Sequence, residues 1–567
     1  MGKHGASGGF EPADAGRRDG NKNAQTDYRN MFGDAKAREL YDGFGHSAAN
    51  RTKTRRMLRW LAQCMVRDRF DASDENPRIP AGYTYLAQLV SHDSVQSLAP
   101  LPDMSGKHLL RRNARSARLL LDTVYGGGPE ADPLAYAIDG RTWEDRARLR
   151  LSVVESVRRS GSPKLGTLRD VARTGCPYIE DRANFPPGNA VRQQTGSPDA
   201  LIADPRNDDN VILSQLTVLF ILLHNQLCAA VEKLDGKKLT YRRFNDVRRV
   251  VTLVYRRIVF DDLLRKLLHP AVYEVYRKKN RLADFGDGTD DWRMPLEFSH
   301  AVYRFGHAMV RGTYEINDEL QKQGLIQMVR RNSAMRPQDV PLTHDWLVDW
   351  SFLFATGKDR EQPSRKIGPA FNEEFVKGYL FPVSADEDAT KQPDDNDGLV
   401  YRDLVRGADA GLRTVKSVLD NLDSALCEHS PLVRRGRVSS RKIAAWLRTR
   451  AGDSEDALAD DYIKNISRDP PLLFFLLLEA GETEITTGRA ADRRSKGECL
   501  GPIGSALLAE FFFRERVRSY DVIEGDKALG KFAATLFQAR GVPGSMPDLV
   551  AEVAAGQDWT DPKYQFV

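Results

Sequence analysis

Several common signals are missing from this 567-residue chain. Cysteine is scarce: Cys64, Cys176, Cys228, Cys427 and Cys499 are widely spaced, odd in number and never in a Cys-x-x-Cys pair. That excludes a disulfide framework and a paired-cysteine zinc site, and it suits a reducing compartment. Long apolar runs are missing too. The longest, residues 472–478, is far shorter than the ~20 residues that span a bilayer. The opening Met1-Gly2-Lys3-His4-Gly5 carries no apolar leader. The expectation is a soluble chain, cytoplasmic or exported by a route without a cleavable N-terminal signal. Neither sign of charge dominates, since 84 Lys+Arg against 79 Asp+Glu leave +5. The basic residues are dispersed, as at Arg111-Arg112, Arg330-Arg331 and Arg493-Arg494, without interleaved aromatics. No nucleic-acid partner is expected. Strand-like alternation is rare, and there is no internal repeat.

What remains is helix. A hydrophobic fraction of 41% supports a sizeable core. Helical patterning covers residues 41–68, with Met57, Leu58, Trp60, Leu61 and Met65 as the buried stripe. It returns at 211–234, which is long, mostly apolar and reads as central, and at 238–268, 295–310, 400–426 and 441–449. The fold class is mainly α, with little β structure. Residues 1–35 are rich in Gly, Asp, Asn and charge, and read as a disordered N-terminal segment. Residues 36–524 read as one large helical domain, and 525–567 as a C-terminal helix and tail. The acidic, Pro-containing stretch 385–398 reads as an exposed loop.

Chemistry concentrates in three segments. In Ala87-Gln88-Leu89-Val90-Ser91-His92-Asp93, Gln88 and His92 are four apart and share a helix face, while Asp93 turns about 100° away. The second segment is Asp204-Pro205-Arg206-Asn207-Asp208-Asp209-Asn210. The third, Glu297-Phe298-Ser299-His300-Ala301-Val302-Tyr303-Arg304-Phe305-Gly306-His307, places Arg304 one helical turn before His307 and His300 two turns before it. By spacing alone His300 rivals His307 as a ligand. Tyr303 and the pair His224-Asn225 read as structural, and Gly126-Gly127-Gly128 as a turn, since no helix start with a lysine follows it.

Taken in order, these segments resemble the animal-type haem peroxidase family of the peroxidase–cyclooxygenase superfamily. The resemblance extends to Ala81-Gly82-Tyr83-Thr84-Tyr85-Leu86, Leu121-Asp122-Thr123-Val124-Tyr125-Gly126-Gly127-Gly128-Pro129, Leu222-Leu223-His224-Asn225, Val348-Asp349-Trp350, Asp403-Leu404-Val405-Arg406-Gly407 and Leu500-Gly501-Pro502-Ile503-Gly504, the last as in bacterial members. It implies a single helical haem peroxidase domain that reduces hydrogen peroxide and oxidises a small organic donor or a halide. His307 is then the proximal iron ligand and His92 the acid/base, with Arg206 as the distal cation and Gln88 bonding in the distal pocket. Arg304 and Arg406 would meet the haem propionates.

Departures from the family refine this. Ser91 and Asp209 stand where vertebrate members carry the Asp and Glu that esterify haem, and Asn210 where one member has a vinyl-linking Met. Haem b held without covalent bonds is expected. Asp403 replaces the Asn that usually partners the proximal His, making His307 more basic. The family's calcium site maps to Asp93, Ser116, Arg118 and Asp122, but Leu120 replaces a loop carboxylate and Arg118 adds a charge. One calcium ion is therefore set against an alternative in which Asp93 pairs with a nearby arginine such as Arg118. Two other functions stay open. The first is a fatty-acid dioxygenase or cyclooxygenase-like enzyme. Such relatives abstract hydrogen with a Tyr three residues before the proximal His, where this chain has Arg304. The second is a helical binding protein without haem.

Overall fold

The computed structural model describes residues 28–31, 48–67, 70–96, 113, 115, 118–137, 146–153, 169–174, 199–278, 293–320, 322–376, 398–412, 414–425, 432–433, 437–452, 458–486, 488–538 and 540–556. The expected loop 385–398, apart from Gly398, and Ser116 lie outside them.

The fold is mainly α. Strands among the described residues form only short two-stranded pairs. One of them, Glu75–Pro80 against Pro363–Arg365, leads directly into the Gly82–Ser94 helix. The centre is the Val211–Asp235 helix. The Asn210 side chain accepts from Leu213 N at its start, and Gly236 adopts φ +65° at its end, where a left-handed residue stops a helix. This helix is long and apolar enough to cross a membrane, but 94% of its most apolar stretch is buried within the protein, as in a core helix. The Gly82–Ser94 and Tyr241–Arg257 helices pack on it.

The Gly82–Ser94 helix is fixed at its N-terminal end. Gly82 N donates to Leu353 O at 2.9 Å. A Cβ at Gly82 would stand 2.6 Å from that oxygen and from the Phe354 ring, so only glycine allows this approach. Tyr83 Oη donates to Asp262 Oδ2 at 2.7 Å, in the π-helical stretch Ile258–Leu263.

Four expectations change. The 295–310 segment is not one helix: Leu296–His300 ends at Ala301 (φ −137°, ψ −71°), and a 3-10 turn, Val302–Met309, carries on. At about three residues per turn, Arg304 and His307 still share a face, whereas His300 is redirected. The 400–426 pattern also divides, into Leu399–Asp409 and Val415–Ala425, with Gly411 at φ +77° between them. Beyond residue 525 there are two helices, Lys527–Leu536 and Met546–Gly556. Buried Leu529, Ala533, Leu549, Val550 and Val553 dock them against the body. At the other end, Tyr28–Met31 of the segment expected to be disordered are buried: Arg29 N donates to Met294 O (3.0 Å) and Met31 N to Glu297 Oε2 (2.8 Å).

Candidate active site

His92 lies in the last turn of the Gly82–Ser94 helix and is buried. Its Nδ1 is 3.0 Å from Asn207 Oδ1. Asn207 Nδ2 donates to Thr123 O (3.2 Å), and Thr123 Oγ1 donates to Asn207 Oδ1 (3.1 Å), which fixes the amide with its oxygen toward the imidazole. An oxygen can only accept, so Nδ1 carries the hydrogen and Nε2 presents a lone pair. Burial, then the neighbouring Arg206 charge, pulls His92 down to about 4, which keeps the ring neutral.

Arg206 sits in the 3-10 turn Pro205–Asp208, which Asp204 caps by accepting from Arg206 N. The guanidinium is heavily engaged. It pairs with Asp204 through Nε (3.0 Å) and Nη2 (2.7 Å), and it donates to Val95 O (2.7 Å) and His92 O (2.8 Å). It therefore caps the C-terminal end of the helix that carries His92, where carbonyl oxygens gather. Burial opposes charge on Asp204, yet Arg206, helped by Arg115, holds its carboxyl well below the usual range. The expected free distal cation is thus a clamp beside His92 whose charge is shared with Asp204. Gln88 Oε1 accepts from Asn210 Nδ2 at 3.1 Å, which leaves the Gln88 amide hydrogens as donors.

Asp209 Oδ2 lies 3.9 Å from His92 Nε2, and half of the Asp209 side chain is accessible. Burial among surrounding residues still pushes its carboxyl up to about 7. Ser91, one residue before His92, offers no carboxylate.

The second cluster centres on His307. Its Nδ1 is 2.8 Å from Asp403 Oδ2, so Nδ1–H donates and Nε2 is left with a lone pair that could serve as a ligand. A third of the His307 side chain is accessible, Phe375 stacks near it (6.0 Å), and a Cβ on Gly306 would meet nothing within 4 Å. Arg304 bonds the other Asp403 oxygen and donates from Nε to Ser299 O (3.1 Å). Burial works against charge on Asp403, but Arg304 and His307 hold its carboxyl below the usual range. The expected propionate anchor Arg304 is therefore committed to the partner of His307. Arg406 follows on the Asp403 helix, with burial pulling its pKa down. His300 is turned away: its Nδ1 meets Ser299 Oγ (2.7 Å) and its ring meets Tyr28. Tyr303 stacks on Phe298 (4.9 Å) in the core.

Of the expected calcium set, Ser116 lies outside the described residues, and Asp93 and Asp122 are near each other but engaged by other groups. Asp93 accepts from Leu121 N (3.0 Å) and Thr123 N (3.2 Å). Asp122 pairs with Arg248 (2.9 Å). The Arg118 carbonyl accepts from Arg256 Nη1 (2.7 Å) and the Leu120 carbonyl from Thr252 Oγ1 (3.4 Å). Calcium needs six to eight oxygens, and here guanidinium and hydroxyl groups occupy oxygens of Arg118, Leu120 and Asp122 while N–H groups occupy Asp93. No cluster of three or more His, Cys, Asp or Glu side chains suited to a metal occurs among the described residues. In place of the expected Asp93–arginine pair, Asp93 takes backbone N–H groups and it is Asp122 that pairs with an arginine, Arg248. Burial and the Asp122 charge push Asp93 up to about 6.

Several of these residues escaped the sequence reading. Asp204 carried a usable signal, since Asp followed by Pro marks an N-cap and first helical position. Asn207, Thr123, Arg115 and Tyr28 carried none, because their roles arise from contacts distant in sequence.

The comparisons agree with this architecture. The animal haem peroxidase family model matches residues 152–383, which hold Arg206, Arg304 and His307. Human thyroid peroxidase is 28% identical over 145 residues, 25% of this chain and 15% of that protein. Mouse myeloperoxidase is 24% identical over 166 residues, 29% of this chain and 21% of that protein. The match therefore spans only about a fifth or less of these curated relatives. Peroxidase A of Dictyostelium discoideum superposes with a TM-score of 0.53 at 13% identity, covering 93% of this chain and 95% of that one. Oryza sativa fatty acid alpha-dioxygenase gives 0.52 at 12%, covering 89% and 80%. The family implies a haem cofactor. The residues fit one: a carboxylate-backed imidazole with an unengaged Nε2 is a third accessible, and a second, buried and neutral imidazole stands 3.9 Å from the half-accessible Asp209. The chain is thus similar to animal haem peroxidases over residues 152–383, and its fold is the one shared by Peroxidase A of Dictyostelium discoideum.

Proposed function

We propose that the protein binds haem b without covalent bonds and uses it to reduce hydrogen peroxide while oxidising a small organic donor or a halide. In the one-electron case, one peroxide and two donor hydrogens give two waters and two donor radicals. The carrying observation is the buried, neutral His92, held by Asn207 through Nδ1 with Nε2 left on the side of the half-accessible Asp209. His307 holds the cofactor through Nε2, and Asp403 enriches that ligand in electron density. Bound haem supplies the redox equivalents for O–O cleavage.

The remaining steps belong to side chains. His92 Nε2 takes a proton from peroxide and returns it to the oxygen that leaves as water, a role worth roughly 10²–10⁴-fold. Its low basicity keeps it unprotonated and ready. Arg206 positions the carbonyl end of the His92 helix and adds positive potential where negative charge develops. The Gln88 amide hydrogens orient peroxide or a halide. Ser91 cannot form an ester, and Asp209 Oδ2 is oriented toward His92. The dioxygenase reading is not favoured: Arg304, ion-paired with Asp403, stands where those enzymes need a phenol, and Tyr303 is packed in the core. The test is a haem titration followed by peroxide-dependent donor oxidation. The expected result is a Soret band and turnover, with turnover abolished in His92→Leu at unchanged haem content. Absence of a Soret band in wild type overturns the reading.

A further inference from the structure

Tyr28 is the buried group that this account leaves without a task. Its ring meets His300 edge-on with centroids 5.1 Å apart. The backbone on either side is pinned, by Arg29 N to Met294 O, Leu296 N to Arg29 O (2.8 Å) and Met31 N to Glu297 Oε2. The residue is 4% exposed, and its hydroxyl, shielded from solvent, has the Ser299 hydroxyl near it but no acceptor at hydrogen-bond geometry. The nearby Ser299 hydroxyl is engaged with His300 Nδ1 and Pro295 O. A buried phenol without an acceptor is costly, so its placement calls for one.

The surroundings define that acceptor. Burial pushes Tyr28 up to about 12, opposed by the charges of Arg304, Arg406 and Arg206. The hydroxyl therefore stays protonated and can donate, within reach of charge from both the His307 and the His92 sides. Arg304 lies on the Ser299 carbonyl, and Gly407, next to Arg406, packs on the His300 carbonyl. A donor among guanidinium groups is complementary to an anion with oxygen acceptors. Haem carries two carboxylate side chains.

We infer that the Tyr28 hydroxyl, together with Arg406, binds a carboxylate of the haem, so that residues 28–31 form part of the cofactor site. This rests on the proposed haem function. It also gives a role to Tyr28 that Arg304, being tied to Asp403, does not fill.

The test compares wild type with Tyr28→Phe, which keeps the ring against His300 and removes one oxygen. Each protein is loaded with haem or with haem dimethyl ester, whose carboxylates are blocked, and transfer to excess apomyoglobin is timed. Loss of one hydrogen bond to a charged acceptor should speed haem release roughly 10-fold or more in Tyr28→Phe. The dimethyl ester should leave both proteins at the same rate. Equal release of unmodified haem overturns the inference alone. An equal penalty for haem and its diester assigns Tyr28 to packing and also overturns it. Failure of wild type to take up haem overturns the proposed function itself.

Discussion

The two histidines of the site are held alike and tuned differently. Each donates from Nδ1 to a side-chain oxygen about 3 Å away, His92 to the amide of Asn207 and His307 to the carboxylate of Asp403. The amide selects a tautomer without adding charge, so burial and Arg206 keep His92 weakly basic. The carboxylate selects the same tautomer and adds electron density, which suits a metal ligand. Arg304 tempers that gain by sharing the Asp403 charge. In the proposed function one orientation device thus serves a proton carrier on one side and a ligand on the other. The partner's charge decides which.

Breaking the ligand side should have the largest effect. His307→Ala is expected to lose the Soret band, or to retain it only with added imidazole, as read by absorbance. Next, His92→Gln should slow reaction with peroxide roughly 10²–10⁴-fold while haem content stays the same. Stopped-flow rates equal to wild type would remove His92 from the chemistry. Exchanging the partners sharpens the contrast. In wild type, protonation of His92 sets the acid limb of the peroxide reaction near pH 4, because its pKa is lowered and the neutral form persists to that point. Asn207→Asp should move the limb upward by about 1–3 units, and an unmoved pH profile would separate Asn207 from the titration. On the other side, Asp403→Asn should raise the haem reduction potential and Arg304→Gln should lower it, as measured by spectroelectrochemistry. Shifts of the same sign would contradict the shared-charge picture. The smallest effect is expected from chelation. Exhaustive EDTA treatment should leave the thermal midpoint unchanged, because Arg248 and Arg256 occupy the calcium-loop oxygens. A stoichiometric calcium found by elemental analysis would reverse that reading.

The sequence carried the helical class, the central helix 211–235 and the segments that meet at the site. Those are local matters of periodicity and wording. It was less informative where geometry depends on a single backbone torsion. The turn at Ala301 sends His300 into the core while 3-10 winding keeps Arg304 and His307 aligned, and helical periodicity does not reveal such a break. Partner identity was half legible. Asp403 could be set beside His307 by resemblance, but its capture of Arg304 could not. Asn207 was hidden between the more conspicuous Arg206 and Asp208, since nothing local distinguishes a capping asparagine from one that reaches a histidine 115 positions earlier. The burial of residues 28–31 defied a composition that otherwise reads as disordered, because a few specific contacts suffice to fix four residues.

The Arg206 clamp has a consequence for how the protein comes apart. Its bonds to His92 O and Val95 O join the end of one helix to a turn more than a hundred residues later. Asp204 and Asn207 extend the join to Thr123 and Arg115. Local opening events involve contiguous sets of contacts rather than single residues. Fraying of the helix end, of the 204–208 turn or of the 118–123 segment would therefore release all three together. Amide protons in these segments should exchange as one cooperative unit, and the protein should lose its proton-transfer competence in a single step, not by gradual loosening.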